Sequence, residues 1–228
     1  MMTLPPEAGT ALWLTLKVAA VATLLALPPA VLTAWLLART RFRGRLLLDG
    51  LVHLPLVLPP VVTGYALLML FGREGWIGRW LDESLGIVLS FRWTGAALAA
   101  AVMGFPLMVR AIRQAIEAVD RRLEHAAGVL GAPPLAVFAS VTLPLALPGV
   151  LAGMVLCFAK ALGEFGATIT FVSAIPGETQ TLAAAIYAFT QTPDGDESAL
   201  ALTLIAVLLS LMALLASEWL SRRVRSVP

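Results

Sequence analysis

The chain has 228 residues, 59% of them hydrophobic and 13% charged, with a formal net charge of +2. Soluble domains carry about 25% charged residues, so this deficit, with a mean hydropathy of +0.89, excludes a water-soluble globular domain and places the chain in lipid. Arginine supplies nearly all the positive charge. Arg39, Arg41, Arg43 and Arg45, then Arg110, Arg113, Arg121 and Arg122, then Arg222, Arg223 and Arg225 each abut a long apolar run, which favours the positive-inside bias over nucleic-acid binding.

A bilayer core of about 30 Å needs about 20 apolar residues, and five segments are predicted to supply them. The first covers about residues 11–38. It exceeds a minimal span, so it can tilt, and with no basic stretch before it and too long an apolar run it does not read as a cleavable signal. The others cover about 51–71, 93–109, 144–172 and 198–217. The arginines after the first span place that end in the cytoplasm. Alternation then puts the N-terminus and the loops 72–92 and 173–197 outside, and 110–142 and the C-terminus inside. Residues 173–197 hold no Lys or Arg but carry Glu178, Asp194, Asp196 and Glu197, as an outer loop should. An amphipathic helix at 179–191 would make a sixth span if it crossed, and it is expected not to.

Lys17 is expected to snorkel to the outer interface, and Trp76, Trp80 and Trp93 to form the outer aromatic belt. Prolines 28, 29, 55, 59, 60, 106, 144 and 148 are expected to kink or break the spans, as suits a transporter, although proline is frequent in membrane helices generally. Cys157 stands in apolar sequence and reads as a buried, inert thiol.

Residues 123–149 carry the strongest pattern. A helix is predicted over 123–130, with Ala126, Ala127 and Gly128 leaving its surface flat. Gly131 suits the left-handed C-terminal cap, Pro133 and Pro134 stop continuation, and Pro134 can open a second helix to about Val141. Leu143-Pro144 then leads into the fourth span. Turn chemistry this ordered, in a segment this long, argues against a passive loop.

Ala126-Ala127, Gly131 and, nine residues on, Val141-Thr142-Leu143-Pro144 resemble the EAA loop of ABC-importer permeases, roughly E-A-A-x-x-x-G, nine residues, I-x-L-P. His125 stands where that pattern has glutamate, with Glu124 one residue earlier; this departure bears on the carboxylate's contact, not on the family. The resemblance implies that residues 123–144 dock into a groove of a cytoplasmic ATPase. Glu124, His125, Ala126, Ala127, Gly131, Val141, Leu143 and Pro144 would be the coupling residues.

In the fourth span, Lys160 and Glu164 lie four apart and share a helix face. An ionisable group at membrane depth costs at least about 2.5 kcal/mol and usually faces protein or an aqueous path. The pair either lines or gates a pathway or neutralises itself within the bundle; the residues alone leave both open. Gly163 and Gly166 would allow close helix approach, and Thr168, Thr170 and Ser173 place hydroxyls where a hydrated oxyanion could pass without being trapped. The segment 161–182, with GEFGATITFVS and IPGETQTL, is similar to molybdate ABC-importer permeases; sulfate permeases share its GEFGA part. That resemblance spans essentially the whole chain. It implies an all-α polytopic bundle of five spans, or six, forming one domain over residues 1–228 in the bacterial cytoplasmic membrane. It further implies a second copy of the chain, two copies of an ABC ATPase, and a periplasmic or surface oxyanion-binding protein delivering molybdate or tungstate for alternating-access transport.

No G-x-x-x-x-G-K-[ST] loop occurs, since neither Lys17 nor Lys160 follows glycine. ATP and Mg2+ are therefore expected to be used by the partner ATPase, with no cofactor, metal or catalytic site on this chain: His53 and His125 have no cysteine nearby, and no hydrolase constellation appears. The rival readings are a permease for another oxyanion such as sulfate, a stand-alone ion channel or secondary transporter, and a non-transporting membrane scaffold.

Overall fold

Four alanines at intervals of four set the first helix. Ala22, Ala26, Ala30 and Ala34 form a stripe along α1 (Ala8–Arg39), each no more than 4% exposed. The computed structural model describes residues 7–225, with side chains to residue 215; Arg222, Arg223 and Arg225 thus have side chains outside the described residues. The stripe packs α1 against α5 (Trp93–Ala118), which buries Ala96, Ala97, Ala99 and Ala100 in return. Between lipid-embedded helices there is little hydrophobic drive, so small side chains that let backbones close up supply the packing.

α8 (Leu143–Leu162) completes the core, antiparallel to α5. A β-carbon on Gly149 would collide with the Ala115 side chain. One on Gly153 would lie 3.0 Å from the Met108 carbonyl oxygen, and one on Gly104 would lie 2.6 Å from Cys157 Sγ. The Cys157 thiol is thus fully buried, filling the space that Gly104 leaves.

Around this core run α2 (Arg45–Val57), α3 (Pro60–Phe71), α4 (Trp76–Leu85), α6 (Arg121–Val129), α7 (Pro134–Val137), α9 (Gly166–Val172), α10 (Leu182–Thr190) and α11 (Asp196–Arg225). All regular structure among the described residues is helical. Four stretches are long and apolar enough to cross a membrane: α1, α5, Pro134–Leu162 and α11. The pair α2–α3 makes a fifth if its two helices count as one span.

Several expected boundaries move. The second predicted span is not one helix: α2 and α3 are bent by 115° at Leu58-Pro59, where proline removes the backbone donor. Pro28 and Pro29 lie inside α1, Pro106 inside α5 and Pro148 inside α8 without ending them. The third span runs past 109 to Ala118. The fourth begins earlier, since α7 continues through a π-helical turn at Phe138–Thr142 straight into α8, and it stops at Leu162 rather than 172. α10 has nine residues, about 14 Å at 1.5 Å each, under half a bilayer core. It packs on α11 and α1 and adds no sixth span. α4, in the loop after α3, was not expected; it holds Trp76 and Trp80 exposed, as an aromatic belt requires.

The α5–α8 seam gives a test. Gly149→Leu should lower the thermal midpoint of the detergent-solubilised chain by an amount equivalent to about 1–3 kcal/mol or more of overpacking, whereas Gly128→Ala, with nothing within 4 Å, should leave it unchanged. Fluorescence-detected size exclusion after heating reads both.

Candidate functional site

The predicted elbow forms as a hairpin of short helices. Asp120 caps α6, its carboxylate accepting from the Arg122 amide at 2.9 Å. At the other end the amides of Gly131 and Ala132 donate to the carbonyls of Gly128 and Ala127, a Schellman closure with Gly131 at φ +90°. Pro134 is the first residue of α7. The turn displays apolar surface: Val129 is 89% exposed, Leu130 88% and Leu135 78%. His125, Ala126, Gly131 and Pro144 are exposed beside them, while Ala127, Val141 and Leu143 are half-buried.

Glu124 faces the other way. Its Oε1 accepts from Arg39 Nε at 3.1 Å and from Thr142 Oγ1 at 2.6 Å. The carboxylate therefore binds the elbow to the end of α1 and to the π-helical turn. Beside this tie an open cavity of about 680 Å³ is lined by Trp35, Arg39, His125 and Phe138 among others. Sequence reading missed Arg39 and Thr142 here because their partners are 85 and 18 residues away.

The second cluster lies where the fourth span breaks. α8 ends at Leu162 and α9 starts at Gly166. Glu164, 2% exposed, uses both oxygens: Lys160 Nζ donates to Oε2, and the Ala167 amide donates to Oε1 at 3.0 Å. Lys160 stands in the last turn of α8 and Glu164 just before α9, so each charge also complements a helix end. Within the chain, the pair splices two helix segments.

The break meets the break of the second span. A β-carbon on Gly166 would lie 2.7 Å from Pro60 Cβ, and one on Gly64 would lie 2.5 Å from the Ala167 carbonyl oxygen and 2.9 Å from Thr170 Cβ. α3 and α9 therefore start side by side and run together. Gly166 permits the close approach expected of it; Gly163 does not, having nothing within 4 Å. The hydroxyls are partly committed: Thr168 Oγ1 donates to the Phe165 carbonyl and Thr170 Oγ1 to the Gly166 carbonyl, both at 2.8 Å. Ser173 is exposed and closes α9 at φ +64°. Thr179, expected as the start of the helix at 179–191, instead holds the turn before α10: its hydroxyl donates to the carbonyls of Val172 and Ser173 and accepts from the Ile175 amide at 2.9 Å, and the residue is 1% exposed.

Two further polar contacts refine the sequence reading. Lys17 does not simply snorkel; its ammonium sits 3.5 Å from the centroid of the Trp93 ring, linking α1 to the start of α5. Arg113 pairs with Asp49 at 3.0 Å and Glu117 at 2.9 Å, and His53 shares a hydrogen bond with the Asp49 carbonyl. This fastens α2 to α5 around a cavity of about 340 Å³.

A bundle with two helices interrupted at one place and an apolar elbow exposed outside the core is the architecture of a membrane transport subunit. The chain belongs to the family described as binding-protein-dependent transport system inner membrane component, whose pattern matches residues 30–226. It is 57% identical over 212 residues to the molybdenum transport system permease protein ModB of Escherichia coli K12, covering 93% of each chain. It is 56% identical over 216 residues to the ModB of Haemophilus influenzae, covering 95% of this chain and 94% of the relative. In fold it matches a bacterial ABC transporter involved in the import of the acidic polysaccharide alginate, with a TM-score of 0.75 at 17% identity over 96% of this chain and 80% of the other.

If the Lys160–Glu164 pair is a splice, Glu164→Ala should cut the yield of folded chain severely, on the order of the 3–5 kcal/mol lost when one partner of a buried pair is removed, somewhat less because Lys160 is 30% exposed. The double variant Lys160→Met with Glu164→Gln, which retains an acceptor for the Ala167 amide, should recover most of it. Folded yield and thermal midpoint in detergent check this.

Proposed function

We propose that this chain is the membrane-spanning subunit of an ATP-binding-cassette importer that moves molybdate inward. The observation that carries the substrate is the identity of 56–57% to molybdenum permeases over almost the whole of each chain. The machinery is argued from geometry. The sequence holds no G-x-x-x-x-G-K-[ST] run, which favours energy arriving by contact with another subunit, and the elbow's exposed Val129, Leu130 and Leu135 offer an apolar surface for it. A second copy of the chain, two copies of a cytoplasmic ATPase that use ATP and Mg2+, and an external oxyanion-binding protein make up the working complex, in the bacterial cytoplasmic membrane. The arginines at Arg39–Arg45 and Arg110–Arg122 favour an orientation with the elbow and the C-terminus inside and the N-terminus outside.

In the alternating-access cycle, docking at residues 123–144 moves the bundle. The meeting point of α3 and α9 is where the pathway opens and closes. Interrupted helices at membrane depth persist only where protein or a water-lined cavity satisfies the freed backbone groups, and transporter binding sites are typically built from such helices. Gly166, Ala167 and Thr170 line the contact with α3, and Lys160, Gly163, Glu164, Thr168 and Ser173, on the same stretch of chain, would border the pathway. The oxyanion would meet hydroxyls and backbone rather than fixed arginines, which favours release.

The test is uptake of labelled molybdate by proteoliposomes holding the complete complex. Uptake should require ATP, the ATPase and the binding protein, and the chain alone should pass no molybdate. Gly131→Pro, which removes the φ +90° cap, should lower ATP-driven uptake at least tenfold with the chain still inserted. Flux through the chain alone would instead mark an autonomous channel.

A further inference from the structure

The elbow is fastened to the bundle in an unusual way. α6 contains no buried residue, so hydrophobic packing does not attach it to the core. What attaches it is polar. Arg39 Nε donates to Glu124 Oε1 at 3.1 Å; Arg39 Nη2 donates to the Val119 carbonyl at 3.0 Å; Thr142 Oγ1 donates to the same Glu124 oxygen at 2.6 Å. Val119 caps the end of α5, Arg39 stands in the last turn of α1, and Thr142 ends the turn that feeds α8. One guanidinium and one carboxylate thus join the elbow to all three helices of the core. The site is sheltered, with the Arg39 and Glu124 side chains 10% and 16% exposed and Thr142 1% exposed. A charge-assisted tie at that burial is stiffer than a surface ion pair. The planar fork of arginine can hold the carboxylate and the carbonyl together, which a lysine ammonium does less well.

We propose that Arg39 is the positioning residue that converts displacement of the elbow into displacement of α1 and α5, acting through Glu124. Glu124, one residue before the motif's glutamate position, is then an internal strut, and the partner surface is read by the neighbouring exposed residues His125, Ala126, Val129 and Leu130. This rests on the importer reading above and adds to it the route by which force enters the bundle.

The experiment uses the complete reconstituted importer. It measures co-purification of the ATPase with the chain, and the number of molybdate ions imported per ATP hydrolysed. Arg39→Gln should keep the ATPase bound and lower that ratio at least tenfold. Adding Glu124→Gln to Arg39→Gln should lower it little further, because residues acting as one unit are non-additive. An unchanged ratio in Arg39→Gln, or a loss of folded yield alone with the ratio intact, overturns the proposal, as do independent, multiplicative losses in the double variant. Should Arg39→Gln not assemble, Thr142→Val removes one bond at nearly constant volume and should lower the ratio two- to fivefold; no change overturns the proposal. Failure of the unsubstituted chain to hold any ATPase would instead strike the importer reading itself, so the two failures are distinguishable.

Discussion

A backbone carbonyl or amide freed inside hydrocarbon costs several kcal/mol unless something nearby bonds to it, and the rest of this structure follows from where that debt is met. Along α1, α5 and α8 it arises only at the internal prolines 28, 29, 106 and 148, none of which ends its helix, and alanines and glycines bring the three together. At Leu58-Pro59 and at Gly163–Phe165 it also arises, and the two interruptions lie against one another. Pro60 and Gly166 touch there, and the Glu164 carboxylate accepts from the Ala167 amide in the first turn of α9. A rigid three-helix core beside one concentrated zone of broken helices is a sensible division for a transporter, because a helix end can rearrange at small cost while a close-packed seam cannot.

The same division appears at the elbow end. Apolar packing stops at Val119 and Val137, and beyond it the elbow projects with its apolar tip uncovered. Burying no residue of its own, α6 would swing freely were it not for Arg39, Glu124 and Thr142. The elbow is therefore a lever with a polar hinge pin. The π-helical turn at Phe138–Thr142 makes the lever continuous with α8, and α8 leads directly to the Lys160–Glu164 splice. One unbroken helical path joins the surface where a motor would push to the place where the pathway would open.

Much of this was legible in the sequence, for identifiable reasons. Apolar length gave the lipid setting and four of the five expected spans as long apolar helices, since both depend on composition over about 20 residues. Gly131, Pro133 and Pro134 gave the elbow, since cap and turn chemistry is local. Three things were not legible. Eight prolines look alike on paper, yet only Leu58-Pro59-Pro60 separates two helices, while Pro28, Pro29, Pro55, Pro106 and Pro148 lie within them. Glu124 reads as a partner contact in the motif but is turned inward by Arg39, a residue 85 positions away. That Glu164 also takes the Ala167 amide on its second oxygen does not follow from the Lys160–Glu164 spacing. Each miss is a long-range contact or a competition between local preference and tertiary support, and neither leaves a periodic trace.

The central claim is that the exposed elbow receives a motor subunit that moves the bundle. The most direct measurement is site-specific cross-linking from Val129→Cys, in a Cys157→Ala background, within the assembled and transporting complex. The account requires a cross-link to the nucleotide-hydrolysing subunit whose yield changes between nucleotide-free and ATP-bound states. A complex that still imports molybdate, yet gives no cross-link from the elbow to that subunit in any nucleotide state, would contradict it.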